Sequence, residues 1–206
     1  MVVDTRLSWP VLLIIVACAF LPFLEGAQFL AGHHTVGIIE NTQALLLLFF
    51  AVFTYFFMQP LKMKSGRKMF WLWAVCWWIV LFGRSTSWGR DYFPEVPKIY
   101  FRIISIILIG SIVFPLFSSH LRKEIANQFK RLAIPIWGVI LTLIGLIVSD
   151  AIEHGRYISS FILSDVKNKD LMEELFEFPL ILGLFSIAFS VMKRDRDENL
   201  DSENEA

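Results

Sequence analysis

Six apolar stretches constrain this chain more than any other feature, near Leu7–Leu24, Val36–Met58, Met69–Thr86, Ile99–Phe117, Leu132–Ile152 and Leu171–Met192. A helix needs about 20 largely apolar residues to cross a hydrocarbon core, and inside lipid its backbone polar groups have to be satisfied within the segment. Stretches of this length point to one architecture, an all-α integral membrane bundle of six transmembrane helices. Composition agrees, because 56% of the residues are hydrophobic and 18% are charged, whereas about a quarter are charged in a soluble domain. The net charge is zero, which gives no electrostatic ground for a nucleic-acid partner. The expected partners are the lipid bilayer and other membrane proteins.

The distribution of Lys and Arg sets the expected orientation. One side holds Arg6, then Lys62, Lys64, Arg67 and Lys68, then Arg122, Lys123, Lys130 and Arg131, then Lys193, Arg194 and Arg196. The other side holds Arg84, Arg90, Lys98, Arg102, Arg156, Lys167 and Lys169. The first side is the richer and is expected to be cytoplasmic, with both termini inside. The run Ile15-Val16-Ala17-Cys18 resembles a lipoprotein cleavage box, but Met-Val-Val-Asp-Thr-Arg is not a basic leader, so a retained anchor helix is expected. Residues 193–206 are hydrophilic and increasingly acidic, the composition of a disordered cytoplasmic tail. Cys18 and Cys76 lie in apolar runs without metal-ligand spacing, and no disulfide is expected between them.

Polar residues gather at the outer ends of the spans. Glu25 is near the outer end of the first, and Glu40 opens the second. The third ends in Arg84-Ser85-Thr86-Ser87-Trp88-Gly89-Arg90, and Arg102 starts the fourth. Asp150, Glu153 and His154 end the fifth, and Glu173, Glu174 and Glu177 start the sixth. With a rise of 1.5 Å per residue, Arg84, Arg102 and Glu177 come out roughly 22 Å above the inner ends of their helices. A charge at that depth needs a partner or a water-filled cavity, so Arg84 or Arg102 is expected to pair with Glu177. Glu153, Glu173 and Glu174 read more simply as wetted groups, and carboxylates at the outer ends of the second and sixth helices suit the positive ends of those helix dipoles.

Asp150 and His154 are spaced i,i+4 and share a helix face, as do Glu173 and Glu177. Facing helices of a bundle build metal sites from carboxylates and histidines, so His154, Asp150, Glu177 and Glu173 form a candidate set for a divalent metal. His33 and His34 in the first outer loop are candidate nitrogen ligands. The wider ligand or ion-pair layer comprises Glu40, Arg84, Trp88, Arg90, Arg102, Asp150, His154, Glu173 and Glu177. A catalytic Ser/His/Asp set is not identifiable. Trp71, Trp73, Trp77 and Trp78 read as lipid-facing or packing aromatics, while Trp88 sits where it would stack on a guanidinium.

The stretch from Arg84 to Arg90 resembles a motif in a loose group of uncharacterised bacterial polytopic membrane proteins. In that group an Arg-Glu or Glu-Glu pair precedes Ser-Trp-Gly-Arg or Ser-Trp-Gly-Gln at the outer end of a helix. An acid opening an earlier helix, like Glu40, and a Glu-rich start to the last helix, like Glu173, Glu174 and Glu177, extend the likeness. Ser85 stands where the group has Glu, so that acid's role is lost or has moved. The resemblance implies a bacterial inner membrane. Three function classes follow from the residues: an outward-facing site for a metal ion, polar solute or lipid headgroup; an ion or proton pathway; and a structural or accessory subunit. The nearly uncharged inner halves of the spans count against a relay, which has to reach the opposite face.

Overall fold

The computed structural model of the chain describes residues 2–21, 33–131, 133–155 and 169–204. It is all-α, with seven α-helices among the described residues. These are α1 (Trp9–Phe20), α2 (His33–Met58), α3 (Ser65–Ser85), α4 (Lys98–Val113), α5 (Ser119–Arg131), α6 (Ile136–Glu153) and α7 (Lys169–Asn204). Among the described residues, four segments are long and apolar enough to cross a membrane: Thr35–Lys62, Lys98–Phe117, Ile136–Glu153 and Lys169–Asp197. The other two expected spans are not among them. Helix α1 has 12 residues, about 18 Å, and the expected span runs on past the described ones. With 21 residues α3 is long enough, but Arg67, Lys68, Arg84 and four tryptophans lower its hydropathy. Glu25, Arg156 and Lys167 lie outside the described residues, as does the end of the first expected span.

The chain divides into two compact units. Unit 1 comprises Asn41–Leu132 and Met192–Ala206 together with Met1, and unit 2 comprises Val2–Glu40 and Ala133–Val191.

In unit 1, α3 packs against α4 and α5. Trp78 meets Phe50 of α2 edge-on, with ring centroids 5.3 Å apart. Because α4 ends at Val113, carbonyls in its last turn lack helical donors, and the Trp73 indole N–H supplies one to the Ile112 carbonyl at 2.9 Å. The basic connection between two expected spans, 119–131, is an amphipathic helix. It turns Leu121 and Gln128 inward and leaves Arg122, Lys123 and Lys130 exposed.

A buried polar node lies in the segment expected to begin the acidic tail. Helix α7 continues to Asn204, and Asp195 is 2% exposed. One carboxylate oxygen pairs with Arg67 Nη2 at 3.2 Å and accepts from Gln128 Nε2 at 3.1 Å. The other accepts from the Trp71 indole at 2.7 Å. Three donors around one carboxylate make ordering of this helical turn favourable where composition alone argues against it. Trp71, read from the sequence as a lipid-facing or packing aromatic, is a buried donor. Next to Asp195, the Arg196 guanidinium lies 4.8 Å from the centre of the Phe57 ring.

In unit 2, α6 and α7 approach closely along small residues. A Cβ built on Gly145 would lie 2.5 Å from the backbone nitrogen of Leu180, and one on Gly183 would lie 2.5 Å from Thr142 Oγ1. Small side chains at such a seam let two helix backbones meet. A short parallel ribbon, not foreseen from the sequence, pairs β1 (Val2–Asp4) with β2 (Ala133–Pro135). The Trp137 indole reinforces it by donating to the Thr5 carbonyl at 2.9 Å.

Candidate functional site

The polar end of unit 2 is built on an apolar floor. Ile152 of α6 and Leu171, Met172, Leu175 and Phe176 of α7 form a buried cluster, against which Val36 and Ile39 of α2 pack. The i, i+3 and i+4 spacing of these α7 residues turns one stripe into the core and leaves Asp170, Glu173 and Glu174 on other faces. These three acids, with Val36, Gly37 and Glu40 of α2, line a cavity of about 320 Å³. Glu153 and Glu177 add further negative potential at Glu173, and Lys169 opposes it. Asp170 is in the first turn of α7, where the helix dipole favours a carboxylate.

Asp150 and His154 meet as their spacing requires. His154 Nδ1 lies 3.4 Å from Asp150 Oδ1 and 3.1 Å from the Asp150 carbonyl oxygen, and Glu153 approaches the same nitrogen at 3.9 Å. The imidazole is 54% exposed, so this contact caps the end of α6 in a wet setting. Among the described residues, no group of three or more His, Cys, Asp or Glu side chains is arranged to hold a metal ion. Of the four expected ligands, His154 and Asp150 form a pair and Glu173 lines the cavity. The His33 and His34 side chains lie outside the described ones.

The structure thus brings Glu40 and Glu173 to one cavity, and it adds Asp170 and Glu174. The i,i+4 spacing did not single out Asp170. Its position in the first turn of the last apolar helix is the signal that does.

The rest of the expected layer belongs to unit 1. Arg84, Arg90 and Arg102 are exposed, and Arg90 pairs with its neighbour Asp91 at 3.4 Å. Among the described residues, no guanidinium stacks on Trp88. Ser87, Trp88 and Gly89 have φ of 49°, 61° and 91°, a left-handed turn that folds the indole back over α3. A Cβ on Gly83 would lie 2.8 Å from that ring, so only glycine accommodates it there. Holding two non-glycine residues left-handed costs on the order of 1–3 kcal/mol each. The turn borders a larger, mainly apolar cavity of about 560 Å³ between α2, α3 and α4.

Comparison with protein-family models, with curated proteins and with solved structures finds no match.

Proposed function

We propose that this chain is a six-span protein of a bacterial inner membrane, with both termini cytoplasmic, that binds a cation at the acidic cavity of unit 2 on its outward side. Four long apolar helices support the membrane assignment, with α1 and α3 as the remaining two spans. The Lys/Arg bias supports the orientation. The β1–β2 pairing agrees with it, because it puts the starts of α1 and α6 at one end of unit 2.

One observation carries the cation reading: among the described residues, every charged side chain lining the cavity is a carboxylate, from Glu40, Asp170, Glu173 and Glu174. Such a lining repels phosphate and attracts a cation. Since no chelating trio is preformed among the described residues, the ligand that fits is a hydrated divalent ion held largely through its water shell.

The test is Mn²⁺ uptake by the purified protein, followed by the loss of the free-ion paramagnetic signal. Wild type is expected to take up one ion with a dissociation constant on the order of 10⁻⁴–10⁻³ M, the range of weak carboxylate sites. The double variant Glu40→Gln/Glu173→Gln is expected to bind about tenfold more weakly or worse. A Cβ at Gly37 meets nothing within 4 Å, so Gly37→Phe fills the cavity without a backbone clash and should show a similar loss. Equal uptake by all three proteins removes the cation reading.

A further inference from the structure

We infer that the apolar cavity beside the Ser87-Trp88-Gly89 turn is a seat for one acyl chain of a membrane phospholipid. The inference rests on the membrane assignment above but not on the cation site. The cavity measures about 560 Å³, within the range of built ligand pockets. Its walls are mostly aliphatic and aromatic, including Leu45 and Ala44 of α2, Ile79 and Phe82 of α3, and Ile104 and Leu108 of α4.

Its polar groups are largely engaged already. Thr86 Oγ1 donates to the Phe82 and Gly83 carbonyls, and the Tyr92 hydroxyl donates to Asn41 Oδ1. A water or polar solute there finds few partners, whereas leaving the space empty forfeits the dispersion contacts of its walls. An alkyl chain restores those contacts.

The open side selects the source of that chain. Leu45 is 65% exposed and Ile104 is 42% exposed, and both lie on segments long and apolar enough to cross a membrane. The cavity is therefore continuous with the surface that meets hydrocarbon. Trp88, Tyr92 and Asn41 close the end toward the polar loop, the level where Trp and Tyr rings favour the membrane interface. The left-handed turn lays the indole against Gly83, which makes the ring part of the cavity wall.

The experiment places the full-length protein in phosphatidylethanolamine/phosphatidylglycerol vesicles doped with a phospholipid carrying a diazirine on its acyl chain. Irradiation followed by peptide mapping reads the contacts. Labelling at Leu45, Trp88 and Ile104 is expected to exceed that at Ile106 and Ile107 by about tenfold. Ile106 and Ile107 are the fair comparison, being 68% and 63% exposed on the same helix. Ala44→Trp fills the cavity and should reduce the excess to the Ile106 level. Ile104→Trp, at the exposed rim, should do the same if Ala44→Trp does not fold. Uniform labelling, or an excess that survives in the folded variants, overturns the acyl-chain seat while the membrane assignment stands. Absence of labelling on every apolar helix overturns both.

Discussion

Replacing Asp195 by alanine is expected to lower the stability of unit 1 by about 3 kcal/mol, the lower end of the range for breaking a buried ion pair. The size follows from what the carboxylate leaves behind. Trp71 and Gln128 are 2% and 5% exposed, so their N–H groups lose an acceptor where water cannot replace it, at about 1–3 kcal/mol each. The Arg67 side chain retains 21% exposure, and partial hydration holds the total to the lower end. Asp195→Asn should lie between the two, because its amide oxygen still accepts one hydrogen bond while its NH₂ confronts Arg67. The measurement is denaturant unfolding in detergent, followed by helical circular dichroism. An unchanged midpoint for Asp195→Ala would mean that the node contributes nothing to stability. Arg67→Met combined with Asp195→Leu should recover part of the loss, since an apolar pair of similar volume avoids burying charge.

Gly145→Leu is expected to abolish the α6–α7 packing altogether. Even a single methyl at this position would lie 2.5 Å from the Leu180 nitrogen and 3.0 Å from its Cα. Both are backbone atoms, so no side-chain rotation relieves the contact and a whole helix has to move. Gly145→Ala should therefore cost about 2–3 kcal/mol, at the upper end for overpacking. The matched control is Gly37→Ala in α2, whose Cβ would meet open space. There the better helix propensity of alanine should stabilise by roughly 0.5–1 kcal/mol. The same unfolding assay compares the two. If Gly145→Ala and Gly37→Ala behave alike, close backbone approach is not what holds α6 to α7.

The sequence was most legible where the physics is local and averaged over many residues. Runs of leucine, isoleucine and phenylalanine identify the segments containing α2, α4, α6 and α7 because burial in lipid depends on mean apolarity. Helix α3 is harder to judge, since Trp71 and Trp73 carry N–H donors that find specific partners only once the helices are packed. Asp195 was not legible at all. It sits in the run Lys193-Arg194-Asp195-Arg196-Asp197, where composition argues for solvent, and its donors lie 128, 124 and 67 positions away. Helix α5 was hidden for a related reason, as four basic residues in a short connection outweigh the inward stripe of Leu121 and Gln128. At the candidate site, i,i+4 spacing correctly joined Asp150 to His154, a relation within one helix turn. It had no means of joining Glu40 to Glu173, which meet through the fold.

The β1–β2 ribbon ties biosynthesis to fold. Val2 pairs with Ala133, so the first strand is synthesised 131 positions before the strand that completes it. At a ribosomal rate of about 5–20 residues per second, that separation is on the order of ten seconds. Throughout that interval Val2–Asp4 presents unpaired backbone groups, the condition under which a strand edge recruits the wrong neighbour. The strand made first thus waits longest for its native partner.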